Sequence, residues 1–219
     1  MAQSELSCHP RESGDPAVAC SALDRPSRET VTEQRFLADV LRNPNNEVIL
    51  RRLPELGLPD GCLVAGALFQ TVWNSLTQRP VGDGIKDYDV FYFDGADLSA
   101  DSEARANERA HDLFDDLGIA IEVCNQARVH LWYERHFGYS KQPLTSVVAG
   151  IASFLVRCTC VGLMPRDGAE VEVIAPYGLD DLYAGRLVRN SPSAEPELFQ
   201  RKVASYVLRW PHLTVAVSS

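Results

Sequence analysis

Residues 84–94, Gly-Ile-Lys-Asp-Tyr-Asp-Val-Phe-Tyr-Phe-Asp, form the stretch of sequence that decides the fold. Its aromatic and β-branched residues predict a strand over residues 87–93. Because alternate residues of a strand share one face, Asp87 and Asp89 point the same way, with their Cα atoms about 7 Å apart. Two carboxylates this close repel each other unless they lie at an exposed strand start or hold a cation between them. Such an oxygen-rich acidic site suits magnesium, manganese or calcium.

A third acid, Glu122, lies in the next predicted strand, residues 119–124, between two β-branched apolar neighbours. If the two strands are neighbours in a sheet, Glu122 joins Asp87 and Asp89 on one face. Three carboxylates on one face suit a pair of metal ions roughly 4 Å apart, the arrangement of phosphoryl-transfer sites. A structural alternative stays open, because Asp-x-Asp alone is a weak signal. In that alternative Asp87 caps a loop and Asp89 pairs with Lys86.

Two other acidic motifs are excluded by the residues that follow Asp87. An EF-hand loop starting there needs an oxygen ligand at the position of Phe91 and a glycine at the position of Tyr92. A haloacid-dehalogenase-type phosphatase has its carboxylates after an apolar strand, whereas here they precede the apolar residues. The acids therefore do not belong to either of these sites.

The composition of the 219-residue chain is that of one globular domain with an added element or tail. No apolar run approaches the roughly 18–20 residues that cross a bilayer, and the first thirty residues lack a secretory pattern. We therefore expect a cytoplasmic protein without membrane association.

A net charge of −9 argues against a broad nucleic-acid surface, although a metal ion can neutralise a triphosphate locally. Six cysteines without a C-x-x-C pair favour buried thiols over a zinc site.

Hydrophobic periodicity and breaker residues predict alternating helices and strands after an N-terminal tail. Residues 1–29 are predicted to be disordered, and the capping-box pair Thr30 and Glu33 predicts the start of the first helix. A core over residues 30–140 and a C-terminal extension over residues 141–219, packed on that core, complete the predicted organisation. The predicted helices cover residues 30–41, 46–56, 68–76, 101–117, 143–154, 178–187 and 195–209, and the predicted strands cover residues 62–65, 87–93, 119–124 and 171–174.

Several of these segments together resemble a known pattern. In the nucleotidyltransferase superfamily with a DNA polymerase β-like catalytic core, a strand and a Gly-Ser or Gly-Gly turn open a helix. An Asp-x-Asp strand follows, and a third acid lies on a later strand. Residues 64–67, 87–89 and 121–123 are similar to these three elements.

The chain more narrowly resembles a small bacterial nucleotidyltransferase-like family, whose members largely lack assigned substrates. This resemblance covers about residues 35–210. It is carried by A-G-A at residues 65–67 with V-W-N at 72–74, D-Y-D-V-F-Y-F-D at 87–94, N-Q-A-R-V-H-L-W-Y at 125–133 and A-P-Y-G-L-D-D-L at 175–182.

The resemblance implies an α+β nucleotidyltransferase fold, a small mixed sheet with helices packed against it and extra C-terminal helices. It also implies that Asp87, Asp89 and Glu122 are catalytic and hold Mg²⁺ or Mn²⁺. Gly66, Ala67 and Arg128 are expected to bind a nucleoside triphosphate, the first two through the backbone at a helix N-terminus. Ala67 departs from the superfamily pattern, where a residue with a hydroxyl or a bare backbone helps to hold the triphosphate.

Four residues near the acids carry two interpretations each. Arg128 either binds phosphate or forms a surface salt bridge. His130 either moves a proton or packs beside its apolar neighbours. Trp73 either stacks on a base or belongs to the core. Lys86 either pairs with the acids or reaches the substrate.

The resemblance favours a metal-dependent enzyme that transfers a nucleoside monophosphate from a nucleoside triphosphate to an unknown acceptor hydroxyl. Glu122 is expected to help remove the proton of that hydroxyl. The alternative is a non-catalytic module that binds a nucleotide or a partner on the same fold, because fold does not fix function. A third reading, a metal-dependent glycosyltransferase, usually needs a longer chain.

Overall fold

A computed structural model describes residues 28–167, 170–190 and 196–216, with side chains from residue 33 onward. Of the predicted tail, residues 1–29, the first 27 residues lie outside the described part of the chain. Helix α1 begins at Arg28, so Thr30 lies inside this helix instead of capping it. Among the described residues, no helix is long and apolar enough to cross a membrane.

Helices and strands alternate along the described chain. Each glycine that ends a helical segment at residues 57, 118, 138 and 185 adopts a positive φ, the conformation that terminates helices and favours glycine. The helices are α1 (Arg28–Val40), α2 (Pro44–Arg52), α3 (Gly66–Leu76), α4 (Ala100–Phe114), α5 (Val129–Phe137), α6 (Val147–Ala152), α7 (Asp180–Ala184) and α8 (Pro196–Arg209). The strands are β1 (Cys62–Val64), β2 (Asp87–Tyr92), β3 (Ala120–Asn125), β4 (Gly162–Pro165), β5 (Val171–Ile174), β6 (Arg186–Val188) and β7 (Thr214–Ala216).

Five strands form one mixed sheet in the order β3-β2-β1-β4-β5. Strands β2 and β3 run parallel, connected through α4, whereas the pairs β1–β2, β1–β4 and β4–β5 are antiparallel. A separate parallel pair joins β6 to β7. This small mixed sheet with its packed helices confirms the α+β fold that the sequence predicts.

The two faces of the sheet differ in what covers them. Tyr88, Val90, Ile121 and Val123 belong to a large buried core that also contains residues of α1 to α4 and α8. The opposite face carries a smaller cluster in which α6 covers Cys62, Val64, Met164 and Ile174. Asp87, Asp89 and Glu122 alternate with the first set of residues, so they lie on the same face as the smaller cluster.

An aromatic cluster fixes α8 against α3. The rings of Phe69, Trp73, Tyr206 and Trp210 lie 4.8 to 6.4 Å apart between centroids, in tilted or edge-on contacts. Both indoles also donate hydrogen bonds, Trp73 to the Leu182 carbonyl and Trp210 to the side-chain oxygen of Asn74. Aromatic pairs stabilise packing beyond the burial of their surface, so these contacts hold α8 against α3.

The sequence prediction was weakest after residue 140. The predicted helix over residues 143–154 is reduced to the short α6, and the predicted helix over residues 178–187 ends at Ala184, where β6 follows. Strand β4, which lies second from one edge of the sheet, was not predicted. The predicted division of the chain at residue 140 stays a prediction.

Candidate active site

The register of two parallel strands brings the predicted acids together. Asp89 on β2 lies directly opposite Glu122 on β3, and Asp87 lies opposite Ala120. On its other side Asp89 lies opposite Val64, the last residue of β1. The acids therefore flank the point where the chain leaves β1 and enters α3.

Asp89 is the acid whose environment is most unusual. Burial first, and then the charges of Asp87 and Glu122, raise the pKa of its carboxyl from 3.8 to about 7, while Lys202 acts in the opposite direction. Asp87 is half-buried and Glu122 is exposed. A carboxyl that is destabilised as an anion by two other carboxylates marks a position where a cation would be bound favourably.

The carboxylates form a suitable donor set for a divalent ion. Oxygen ligands of this type are those that Mg²⁺ and Mn²⁺ prefer. Within the described residues, none of the three acids takes part in an ion pair with a lysine or arginine. The same part of the chain contains no group of three acidic, histidine or cysteine side chains that could hold a metal ion as they stand. Ligation of a metal ion by all three acids therefore stays a prediction.

The turn between β1 and α3 is strained and lies beside Asp89. Ala65 has φ 55° and ψ −118°, a conformation that non-glycine residues rarely adopt. The first helical hydrogen bonds of α3 run from the Leu68 and Phe69 amides to the Ala65 carbonyl, at 3.0 and 3.1 Å. The amides of Gly66 and Ala67 precede them at the N-terminus of the helix, where orphan donors and the helix dipole favour an anion.

The side chain of Ala67 is fully buried in the main core, so it cannot contact a nucleotide. Only its backbone amide is available for the predicted contact. Gly66 is buried as well, and a Cβ at this position would lie 2.9 Å from Nε2 of Gln70. The absence of a side chain at Gly66 therefore lets Gln70 fold back over the first turn of α3.

In the structure, Arg128 is paired with the carboxylate of Glu103. Its guanidinium forms an ion pair with Glu103 of α4, and both side chains are mostly buried, at 12 and 16% exposure. Its Nε also donates to the Leu98 carbonyl at 3.3 Å. Glu103 in turn accepts the Asn125 amide at 2.8 Å, so this pair ties the end of β3 to α4. The structure thus favours the salt-bridge reading of Arg128, in a more buried setting than a surface pair.

The structure also shows the surroundings of the other three residues that have two interpretations. Trp73 is fully buried in the main core, so it is not a base-stacking platform. His130 is half-buried, and its Nδ1 is a buried atom without a hydrogen-bond partner. Lys86 is exposed, and no ion pair within the described residues involves it. Asn125, which follows the acids in the resembling segment, is a structural residue that bonds to both the amide and the carbonyl of Asp94.

Helix α8 brings two cations to the same region. Lys202 is the cation that acts electrostatically on Asp89. Nη1 of Arg209 donates to the side-chain oxygen of Gln70 at 3.0 Å and to the Gly84 carbonyl at 3.3 Å. Gln70 and Gly84 belong to the segments that carry the α3 turn and the start of β2, respectively.

Two cavities lie away from the acids. One of about 470 Å³ opens at the first turn of α8, between Pro196 and Arg201, and one of about 230 Å³ lies between Leu53 and Arg166. Neither is lined by Asp87, Asp89 or Glu122.

A family model described as nucleotidyltransferase matches residues 51–215, and the chain belongs to this family. The match covers the β1–α3 turn, the acids of β2 and β3, and α8. No protein with curated annotation matches the chain.

Two solved structures are similar to the chain. One, an NMR structure described as revealing a CCA-adding enzyme head domain, is 25% identical with a TM-score of 0.69 over 84% of this chain and 96% of that chain. The other, an apo form of a tRNA-processing enzyme, is 15% identical with a TM-score of 0.50 over 78% of this chain and 44% of that chain. The first likeness confirms the nucleotidyltransferase fold; the second, at its low identity, concerns the fold alone.

Proposed function

We propose that the chain is a metal-dependent nucleotidyltransferase that moves a nucleoside monophosphate from a nucleoside triphosphate to an acceptor hydroxyl. The observation that carries the proposal is the register of β2 and β3, in which Asp89 lies opposite Glu122 and beside the end of β1. Membership of the nucleotidyltransferase family supports a nucleotide as the substrate.

The three acids differ in exposure, and we assign them different roles on that basis. Asp87 and Asp89, both half-buried, would hold the divalent ions, and Glu122 would complete the ligand set. When bound, such ions neutralise phosphate charge and align the attacking and leaving oxygens. Glu122 is the exposed acid, so it is also the acid placed to accept the proton of the acceptor hydroxyl.

The turn after β1 would hold the phosphates. The amides of Gly66 and Ala67 lie at the N-terminus of α3, next to the strand position opposite Asp89. Backbone amides at a helix N-terminus bind phosphate without a side chain, so Ala67 needs no hydroxyl for this contact. Because its side chain is buried, Ala67 contributes to the site through its amide alone.

Transfer is tested with nucleoside triphosphates labelled at the α-phosphate, incubated with Mg²⁺ or Mn²⁺ and with pools of acceptors. A tRNA pool is the first to test, because the similar structures are described as a CCA-adding enzyme head domain and a tRNA-processing enzyme. A pool of hydroxyl-bearing small molecules is the second, because a net charge of −9 disfavours a broad nucleic-acid surface. The proposal expects metal-dependent labelling of one pool, lost in Asp89→Asn.

The second candidate is a non-catalytic nucleotide-binding module. It is favoured by the absence, among the described residues, of three side chains already converged on a metal position. Binding without turnover separates the two: the module binds a nucleoside triphosphate but labels no acceptor and releases no pyrophosphate with either metal. Labelled product that depends on Asp89 excludes the module.

A further inference from the structure

Helix α8 presents two cations towards the site formed by β2, β3 and the α3 turn. Lys202 and Arg209 lie seven residues apart, two helical turns, and so share one side of the helix. The ring of Tyr206 lies between them: the Lys202 Nζ is 5.6 Å and the Arg209 Cζ 5.8 Å from its centroid. Both cations therefore sit in one small region of the surface of α8.

This region adjoins the acids. Nη1 of Arg209 donates to the Gly84 carbonyl at 3.3 Å, three residues before Asp87 at the start of β2. Lys202 also acts electrostatically on Asp89. Tyr206 of α8 packs on Phe69 of α3, with 5.4 Å between the ring centroids. Helix α8 therefore contacts α3 near the N-terminus of α3. Arg209 thus lies between α3 and the segment that leads into β2.

The charge of Arg209 is held in place without being neutralised. The acceptors of its guanidinium are carbonyl oxygens, those of Gln70, Gly84 and Ser205, at 3.0, 3.3 and 3.4 Å. No ion pair with an acidic side chain involves Arg209 or Lys202 in the part of the chain that the structure describes. The plane of Arg209 also stacks on Trp210, with Cζ 4.4 Å from the ring centroid. Burying a cation in part without a counter-ion is unfavourable unless an anion is bound there.

The position of Gln70 connects this cation to the helix N-terminus. Its Oε1 accepts from Arg209, and its Nε2 lies over Gly66, where a Cβ would come within 2.9 Å. The guanidinium is therefore one amide group away from the first turn of α3. An anion on the Gly66 and Ala67 amides would therefore lie close to the guanidinium of Arg209.

We propose that Lys202 and Arg209 of α8 bind the phosphate chain of the substrate, forming the cationic wall opposite Asp87, Asp89 and Glu122. The ligand class is a polyphosphate, either the triphosphate of the nucleotide or the pyrophosphate that leaves. This inference rests on the proposed function, and it assigns to α8 the phosphate contacts that the sequence assigned to Arg128.

The test is calorimetric titration with inorganic tripolyphosphate, with and without Mn²⁺, on the full chain. Lys202→Met and Arg209→Gln remove one cation each, and Arg201→Gln removes an exposed cation from the same helix as the matched control. Each of the first two is expected to weaken tripolyphosphate binding about ten-fold or more, as the loss of a charge-assisted hydrogen bond does. The control is expected to bind as the unaltered chain does. Arg209→Lys keeps the charge and is expected to recover part of the affinity even if Arg209→Gln disturbs the packing on Trp210.

Binding of Mn²⁺ alone separates this inference from the proposed function. The expected result is that Lys202→Met and Arg209→Gln bind Mn²⁺ as tightly as the unaltered chain or more tightly, since a nearby positive charge has been removed. If Mn²⁺ does not bind but tripolyphosphate binding still depends on both cations, the metal chemistry fails and the phosphate wall stands. The inference is overturned if the unaltered chain binds no tripolyphosphate, or if Lys202→Met and Arg209→Gln bind it as well as Arg201→Gln does.

Discussion

Replacing Asp89 with asparagine removes one charge from the acid cluster and keeps the size of the side chain. The carboxyl pKa is raised from 3.8 to about 7, first by burial and then by Asp87 and Glu122. The folded chain therefore binds this proton more tightly than the unfolded chain, so the ionised form opposes folding. The unfavourable free energy is absent below pH 3.8, grows as the pH rises and is complete above about pH 7.

The size of the effect follows from the shift. About three pKa units correspond to about 4 kcal/mol at 1.36 kcal/mol per unit. Because Asp89 keeps partial contact with solvent, which screens the charges, we expect about 1–2 kcal/mol. In urea unfolding with a chelator present, Asp89→Asn is thus expected to be more stable than the unaltered chain at pH 8, and the gain is expected to shrink at pH 5.

The control for this measurement is Glu108→Gln, an exposed acid on α4 outside the cluster. Asp97 is less suitable, because hydrogen bonds from the side chain and then from the backbone amide of Ser99, the latter at 2.9 Å, lower its pKa. The control is expected to change stability by less than about 0.5 kcal/mol at either pH. A loss of stability in Asp89→Asn at pH 8, or a gain that does not depend on pH, refutes the reasoning.

Three further outcomes are expected. Ala65→Gly relieves the strained turn and is expected to stabilise the protein by about 1 kcal/mol in thermal unfolding; a lower Tm contradicts the strain argument. Arg128→Met leaves Glu103 without its partner and is expected to cost about 2–3 kcal/mol, whereas an unchanged Tm with weaker tripolyphosphate binding would restore the phosphate role of Arg128. Mg²⁺ or Mn²⁺ with a nucleoside triphosphate is expected to stabilise the fold by about 2.7 kcal/mol at roughly 100 times the dissociation constant, and the absence of any shift with either metal at millimolar nucleotide argues against a nucleotide site.

Short-range patterns predicted the parts of the fold that depend on local signals. The strand around Asp87 and Asp89 and the strand around Glu122 are rich in aromatic and β-branched residues, and glycines mark the ends of their neighbouring helices. That these two strands are neighbours in the sheet was an assumption of the sequence analysis. The parallel β2–β3 pair confirms it. The roles of the acids as metal ligands stay a prediction.

Long-range pairing explains most of what the sequence could not predict. Strand β4 is short, begins at Gly162 and ends at Pro165, and is defined by its bonds to β1 and β5 rather than by its own composition. Strand β6 pairs with β7 from the end of the chain, so the apolar residues after Ala184 look equally compatible with a longer helix. Local patterns carry no information about such partners.

Side-chain partners at the site are a second kind of information that the sequence does not carry. Arg128 precedes an apolar segment and gives no sequence signal of Glu103, its partner 25 residues away. From the sequence, no role was assigned to Lys202 or Arg209. Their spacing around Tyr206 was visible in the sequence, but the proximity of α8 to α3 depends on the aromatic contacts of Trp73 and Tyr206.

The central claim is that the acids of β2 and β3 hold divalent ions, and Mn²⁺ binding measured by calorimetry tests it most directly. Asp89→Asn and Glu122→Gln are expected to bind Mn²⁺ at least about ten-fold more weakly than the unaltered chain and Glu108→Gln, because each loses one ligand charge. Both are expected to be as stable without metal as the unaltered chain, or more stable, because a repelling charge is gone. Unchanged Mn²⁺ affinity together with lower metal-free stability in Asp89→Asn and Glu122→Gln would contradict the account, since the acids would then serve the fold and not a metal.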